Sequence, residues 1–215
     1  MRSNYYGDEC LINSCIVIFG ELLHCYENGD IVIPPMAERI KVDENNGYSA
    51  FQECTITSLE IPRSLKEIRK NTFSEQTEPV KINYNGTKNE WEAIQGKANL
   101  LSNISMNSTV FCLDGDWKIP EVLVENKVIM ACLNKTATSI TVPEGPEILL
   151  EYSFEDLPLL QSLTLPESIL TIDNYTAVRC PALKEVFIPS GINFKQIPPH
   201  AFEAHTHVKK HIYNW

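Results

Sequence analysis

The chain has 215 residues, a length sufficient for one or two domains with a sizeable core. Its 18 basic and 28 acidic residues give a net charge of −10 without any run of Lys or Arg, which argues against nucleic acid and anionic membrane surfaces as partners. No apolar stretch has the length of a membrane span, so membrane insertion is not expected.

The N-terminal segment, residues 1–30, contains apolar residues but no full copy of the repeats that follow it. Its most apolar run, Cys10 to Gly20, follows Asp8 and Glu9 instead of a basic segment, and no small-residue cleavage site comes after it, so no signal peptide is predicted. A stack of repeats exposes an apolar end at its first coil, and a terminal unit normally covers that end. We therefore interpret residues 1–30 as an N-terminal cap.

The seven cysteines are an odd number, so at least one thiol stays unpaired within the monomer. Four residues near the N-terminus carry groups that bind zinc in other proteins: Cys10, Cys15, His24 and Cys25. Adjacent His and Cys ligands are an awkward spacing for one zinc ion. Packed or free thiols are therefore expected, and no metal or other cofactor is predicted.

Short apolar segments that end in proline recur along the chain. In four of them the prolines are spaced 23 residues apart, and a fixed period in this range is typical of stacked repeats. These four are Trp117-Lys118-Ile119-Pro120, Ile140-Thr141-Val142-Pro143, Leu163-Thr164-Leu165-Pro166 and Val186-Phe187-Ile188-Pro189. Two earlier segments have the same form, with a polar loop at residues 43–47 between them: Ile31-Val32-Ile33-Pro34 and Leu59-Glu60-Ile61-Pro62.

Alternation within each segment predicts a β-strand with one buried face. Leu163 and Leu165 fall on one face and Thr164 on the other, and the following proline ends the strand because it cannot donate to a ladder. Equivalent strands are expected to stack roughly 4.8 Å apart as a parallel sheet. Further positions recur in phase with the strands and are expected to fill the interior: Phe51, Phe73, Phe154, Ala177 and Phe202, then Cys54, Leu157, Cys180 and His205.

A different pattern, Tyr84-Asn85-Gly86-Thr87-Lys88-Asn89-Glu90-Trp91, interrupts the repeats. Asn85-Gly86 predicts a turn, and Thr87 with Glu90 forms a capping box for a short helix at about Thr87 to Gln95. Trp91 and Ile94 fall on one face of this helix, and Trp91 is expected to be buried. Gly96 is a suitable stop for the helix.

The strand consensus and the run Y-N-G-T-K-N-E-W resemble the BspA-like class of the leucine-rich repeat superfamily. The resemblance implies a β-dominated α/β solenoid with a period of about 23 residues, a parallel sheet and one short helical insert. In that class the run often lies near the end of a repeat array, whereas here repeats resume after it. We therefore predict a first array at residues 31–118, ending in a helix-containing capping segment, and a second array at 119–215, either as two arrays or as one solenoid with a bulge.

The resemblance also implies a non-enzymatic module for adhesion or recognition at a cell surface or in a secreted protein, with a protein partner of unknown identity. Outward strand positions are the candidate contacts: Glu60, Thr141, Thr164 and Phe187. Phe187 is the one aromatic side chain among them and is a candidate anchor. No catalytic signature is present, but two other functions stay open: a structural spacer, and an enzyme whose site lies in the non-repeat segments.

The C-terminal end contains four histidines, namely His200, His205, His207 and His211. They fall at different repeat positions and are expected to face different ways, so no metal site is predicted. His211 to Asn214 is expected to form a last strand with an open edge. We expect the natural chain to continue past Trp215; the alternatives are edge-to-edge association with a second copy or a tail that folds back.

Overall fold

The computed structural model describes residues 5–6, 9–12, 14–41, 50–51, 54–74, 76, 78–203 and 206–210. They form two compact units, Met1–Ile119 (unit 1) and Pro120–Trp215 (unit 2). Both units are rich in β-structure and contain parallel strand pairs, and their helices are short.

Unit 1 consists of short strands in two sheets and a helical segment. Its strands are β1 (Tyr5–Tyr6), β2 (Glu9–Ile12), β3 (Cys15–Ile18), β4 (Glu21–Cys25), β5 (Gly29–Val32), β6 (Arg39–Ile40), β7 (Ile56–Ile61), β8 (Glu67–Ile68), β9 (Lys81–Tyr84), β10 (Thr109–Cys112) and β11 (Gly115–Trp117). Its helices are α1 (Lys88–Ala93) and α2 (Ala98–Leu101). One sheet has the order β1-β2-β3-β4-β6-β8, and the other has the order β11-β10-β9-β7-β5.

The first sheet of unit 1 begins with antiparallel strands that the sequence analysis did not predict. Strands β1 to β4 pair antiparallel in succession, whereas β4, β6 and β8 pair parallel. The β3–β4 turn contains Phe19 and Gly20, with φ angles of 49° and 76°. Positive φ at both central residues is the geometry of the tight hairpin turn whose twist matches that of the strands. The second strand of this hairpin, β4, then pairs parallel with β6, so the hairpin is directly followed by the parallel pairs of the repeats.

The second sheet of unit 1 confirms the predicted strand pattern. Ile31, Leu59, Ile82 and Val110 are neighbours in successive parallel pairs, and all four side chains are buried. The predicted repeat strand at Trp117 to Pro120 is wrong. Residues up to Trp117 form β11, which pairs antiparallel with β10 through a short turn, so the proline spacing here is a coincidence.

Helix α1 has the predicted capping box and the predicted burial of Trp91. The Thr87 Oγ1 accepts the Glu90 N–H at 3.3 Å, and Glu90 Oε2 accepts the Thr87 N–H at 2.9 Å. Trp91 is fully buried, with ring centroids 5.4 Å from Tyr84 and 6.0 Å from Trp117. The capping box therefore fixes the start of α1, and the side of the helix that carries Trp91 points into the core.

The C-terminal end of α1 differs from the prediction for Gly96. The helix ends at Ala93, and Gly96 lies beyond the capping position, with a φ of 70°. A Cβ at this position would lie 2.2 Å from the backbone oxygen of Ile68, so glycine is needed for a close backbone approach. The buried Lys97 ammonium donates to the Glu92 and Ile94 carbonyls at 2.8 and 3.0 Å, and so satisfies the carbonyls at the end of α1.

Substitution of Thr87 by alanine is expected to destabilise the protein by about 1 kcal/mol, because it leaves the Glu90 N–H without its side-chain acceptor. Urea unfolding measures the loss. The control is Thr87→Ser, which keeps the hydroxyl group and should retain most of the stability. Equal losses for alanine and serine would show that the capping hydrogen bond is not the cause.

Unit 2 also has two sheets. Its strands are β12 (Val122–Glu125), β13 (Val128–Cys132), β14 (Ser139–Thr141), β15 (Ile148–Leu149), β16 (Ser162–Thr164), β17 (Thr171–Ile172), β18 (Glu185–Ile188) and β19 (His207–Lys210), and a 3₁₀ turn spans Phe194–Gln196. The sheet orders are β12-β13-β15-β17 and β14-β16-β18-β19. Apart from the antiparallel pair β12–β13, all of these pairs are parallel.

Unit 2 begins with the same type of hairpin as unit 1. Strands β12 and β13 are joined by Asn126 and Lys127, with φ angles of 49° and 65°. Each hairpin also contains a register shift at the second pair of its first strand, between Leu123 and Val124 here and between Ile16 and Val17 in unit 1. The two hairpins therefore correspond position by position, and each leads into parallel strand pairs.

The core of unit 2 takes side chains from both sheets. Ile140, Leu163 and Val186 are neighbours in register and join Leu149 and Ile172 of the other sheet in one buried cluster. The predicted interior residues described in this unit also belong to it or pack against it: Phe154, Leu157, Ala177, Cys180 and Phe202. Burial of alternate strand residues therefore holds the two sheets together.

The turn after each strand proline is bonded to the next turn along the stack. The Glu144 carboxylate accepts the N–H groups of Glu167 and Ser168 at 2.9 and 3.1 Å. The Glu167 carboxylate accepts the Ser190 N–H at 3.1 Å in the same way. These bonds join positions 23 or 24 residues apart, about one repeat, and so account for the polar residue that follows each of these prolines.

The last described strand is β19, and it pairs parallel with β18. The predicted strand at His211 to Asn214 lies outside the described residues. In the structure, the strand that follows β18 begins four residues earlier, at His207.

Candidate functional site

Three of the four predicted contact residues lie in one row across the second sheet of unit 2. Thr141 pairs with Thr164, and Thr164 pairs with Phe187, in parallel register. The next residue in the row is Lys209 on β19, which the sequence analysis did not identify. Thr141, Thr164 and Phe187 alternate with buried residues of their strands, and Lys209 follows the partly buried Val208, so all four project from the face opposite the core.

A second row runs beside the first. It consists of Ser139, Ser162, Glu185 and His207, which are also neighbours in register. The Ser139 and Ser162 hydroxyl oxygens lie 2.8 Å apart. We refer to the two rows together as the strand face of unit 2: Ser139, Thr141, Ser162, Thr164, Glu185, Phe187, His207 and Lys209.

Lys209 connects the aromatic and acidic parts of the strand face. Its Nζ lies 5.8 Å from the centroid of the Phe187 ring, within the range of a cation–π contact, and it forms an ion pair with Glu185. Phe187 is neither fully buried nor fully exposed. The strand face of unit 2 thus presents the Phe187 ring, which is in contact with Lys209. Opposite charges and hydroxyl groups lie around this ring.

The fourth predicted residue, Glu60, lies in unit 1 and is not part of this face. It is in a row with Val32, Asn83 and Phe111 on the second sheet of unit 1, and its Oε1 accepts a hydrogen bond from Asn85 Nδ2 at 3.0 Å. The two units therefore have separate strand faces, and Glu60 belongs to that of unit 1.

The strand face of unit 1 has a similar combination of groups. Lys81 Nζ lies 5.4 Å from the centroid of the Phe111 ring. Beside it, Asp30 Oδ1 accepts hydrogen bonds from Ser58 Oγ and Thr57 Oγ1 at 2.7 and 2.8 Å. These two hydroxyl donors lower the pKa of Asp30 below its ordinary value, so its carboxylate is charged at neutral pH.

A cavity of about 570 Å³ in unit 2 is lined by Asp156, Pro158, Arg179, Pro181 and Glu203. Arg179 Nη2 donates to Asp156 Oδ2 at 2.8 Å, and this guanidinium lowers the pKa of Asp156. Glu203 Oε1 accepts the Cys180 N–H at 3.1 Å. The charged groups of this cavity thus bond to neighbouring turns of the fold, which favours a structural role for them.

The two groups of residues considered as metal ligands in the sequence are only partly described. His200 stacks on Tyr175 with centroids 5.7 Å apart, and His207 lies on β19, while His205 and His211 are outside the described residues. At the N-terminus the side chain of Cys10 is likewise outside them. No set of three or more potential metal ligands comes together within the described ranges.

A family model described as the BspA type leucine rich repeat region matches residues 38–115 and 127–214, in six copies. Among solved structures, a leucine rich cell surface protein from Faecalibacterium prausnitzii A2-165 is similar, with 14% sequence identity and a TM-score of 0.35 over 95% of this chain and 86% of that chain. A likeness at this level carries no argument about function. No curated protein matches the chain. In the part of the chain that the structure describes, no helix combines the length and apolar character needed to cross a bilayer.

Proposed function

The chain belongs to the family of BspA-type leucine-rich repeat proteins, and on this premise we propose that it is a non-enzymatic protein-interaction module that binds its partner through the strand face of unit 2. The observation that carries the proposal is the row Thr141, Thr164, Phe187 and Lys209 in continuous register. Repeat proteins bind partners through extended surfaces made of equivalent positions in successive repeats.

The chemistry of this face suits a protein partner. Aromatic side chains dominate the binding energy of protein interfaces, and polar groups at the rim give specificity. Phe187 supplies the apolar centre, while Glu185 and Lys209 supply opposite charges on the same side of the sheet. A partner with a small apolar pocket bordered by polar groups would be complementary to this arrangement.

Several finer features belong to the same proposal. The repeats of each unit stack as a solenoid with about 23 residues per turn, residues 1–30 cap the first array, and residues 31–118 and 119–215 form the two arrays. The module acts in adhesion or recognition at a cell surface or in a secreted protein. The solenoid and the two arrays are supported by the family, whose repeats cover most of both units, and by the parallel registers of the strands.

A structural spacer is the main alternative, and it would not need an aromatic anchor. A spacer is expected to present a uniformly polar sheet, as Thr141 and Thr164 do. The placement of Phe187 in the same row, in contact with Lys209, favours a binding face.

Phe187→Ser is expected to weaken binding to a partner by on the order of 2 kcal/mol, or roughly thirtyfold in Kd, because it removes the proposed anchor. Partners are first captured from the parent cells with the intact chain, and Kd is then measured for a purified partner by calorimetry. The matched control is Leu170→Ser, which removes an apolar side chain that is 72% exposed outside the strand face. If the Phe187 and Leu170 variants bind as tightly as the original chain, Phe187 is not the anchor.

A further inference from the structure

The hairpin β3–β4 contains two buried cysteines that face each other. Cys15 and Cys25 are register partners near the open end of the hairpin, and their Sγ atoms lie 2.9 Å apart. Both side chains are almost completely buried. Two sulfur atoms at this separation are closer than atoms in ordinary non-bonded contact, while the backbone positions are set by the pairing of the strands.

The backbone pattern around the pair is the one that permits a cross-strand bond. The residue pair next to it, Ser14 and Tyr26, is hydrogen-bonded, because the Tyr26 N–H donates to the Ser14 backbone oxygen at 3.0 Å. The Cys25 N–H instead points away from β3 and donates to the Ala50 oxygen at 2.7 Å. Cys15 and Cys25 thus form a non-hydrogen-bonded pair, whose Cα atoms lie roughly 4.5 Å apart in antiparallel sheets, within the range of disulfides.

A third thiol lies near the pair but is engaged differently. The Cys54 Sγ donates to the backbone oxygen of Cys25 at 3.4 Å, so its sulfur points to the main chain of β4. Burial raises the pKa of Cys54 to about 11. The hydrogen bond from the Cys15 thiol lowers the pKa of Cys25, which makes Cys25 the more readily ionised member of the cluster.

The corresponding hairpin of unit 2 provides an internal comparison. There Cys132 occupies the position of Cys25, and its register partner is Val122. Cys132 is buried, its Sγ contacts the Asn134 oxygen at 3.8 Å, and burial raises its pKa to about 12. The same fold therefore accepts valine opposite the cysteine, so packing alone does not require the second thiol in unit 1.

We propose that Cys15 and Cys25 are a disulfide-forming pair, which closes the first hairpin when the chain folds in an oxidising compartment. The oxidant is a disulfide present in that compartment, either the disulfide of a small thiol or that of an oxidoreductase. The Cys25 thiolate attacks one sulfur of that disulfide, releasing one thiol and forming a mixed disulfide. The Cys15 sulfur then attacks the Cys25 sulfur and releases the second thiol, so that two electrons and two protons pass to the oxidant.

The bond would stabilise the start of unit 1. It closes a short loop in the unfolded chain, and the Tm of the oxidised protein should exceed that of the reduced protein by on the order of 5 °C. Because both thiols are buried in the folded state, the bond is expected to form during folding and to resist exchange afterwards.

The test refolds the full chain in a buffer of reduced and oxidised glutathione, traps free thiols by alkylation in denaturant, and maps peptides by mass spectrometry. The expected product carries alkyl groups on five of its seven cysteines and contains Cys15 linked to Cys25, two hydrogens lighter than the unlinked form. Full alkylation of all seven cysteines, or a bond from Cys25 to Cys54, would overturn the proposal.

Two variants separate the pair from its surroundings. Cys15→Val copies the arrangement of unit 2 and should fold, with a Tm that no longer depends on the glutathione ratio. Cys54→Ala should keep the Cys15–Cys25 bond, and loss of that bond in Cys54→Ala would contradict the assignment. The peptide map of the original chain decides the proposal even if Cys15→Val does not fold.

Discussion

Replacement of Trp91 by alanine is expected to lower the free energy of unfolding by about 3–5 kcal/mol, because it empties the largest fully buried side-chain position in unit 1. The indole lies against Tyr84 and Trp117, with ring centroids 5.4 and 6.0 Å away, so its removal takes away contacts with both rings. Urea unfolding followed by circular dichroism measures the loss as a lower midpoint at unchanged slope.

The control for Trp91→Ala is Trp91→Phe, which keeps most of the apolar contact. The Trp91 Nε1 is buried without a hydrogen-bond acceptor, so phenylalanine also removes an unsatisfied donor. Trp91→Phe should therefore be clearly more stable than Trp91→Ala. If Trp91→Ala unfolds at the same urea concentration as the original chain, helix α1 does not pack against the sheet.

Phe154→Ala is expected to have a similar effect on unit 2, about 3–5 kcal/mol, because Phe154 is fully buried in the cluster shared by both sheets. The matched control is Phe194→Ala, since the Phe194 side chain is 49% exposed and should contribute little. Thermal and urea unfolding of both variants give the comparison. Equal losses in the two variants would mean that the repeating phenylalanine position is not a core position.

Five of the six predicted strands that precede a proline are present, because two independent signals coincide in them; the same signals gave a wrong prediction before Pro120. Alternation fixes which side chains are buried, as at Leu163 and Leu165, and proline fixes where the strand ends. The capping box of α1 was predictable for a similar reason, since Thr87 and Glu90 act locally and need no knowledge of the rest of the fold.

The first sheet of each unit could not be predicted from alternation. Strands such as β15 and β17 have two residues each, and two residues cannot display a period. The hairpins at the start of each unit were missed because their turns, Phe19-Gly20 and Asn126-Lys127, are not among the usual turn pairs.

The binding face was only partly predictable. Outward positions follow from the strand pattern, so Thr141, Thr164 and Phe187 could be assigned together. Lys209 could not, because its strand has no proline after it and begins one residue earlier than the 23-residue spacing predicts. Glu60 was grouped with the others because the sequence pattern alone does not separate the strand faces of the two units.

The most direct test of the proposed binding face is photo-crosslinking in the parent cells. In one variant a photoreactive amino acid replaces Thr164, the neighbour of Phe187 in the same row. In a second variant it replaces Leu170, which is exposed outside the strand face. We expect a covalent adduct with one protein from position 164, lost on Phe187→Ser, and no such adduct from position 170. An adduct with the same protein from position 170 alone, or equally from both positions, would contradict binding through the strand face of unit 2.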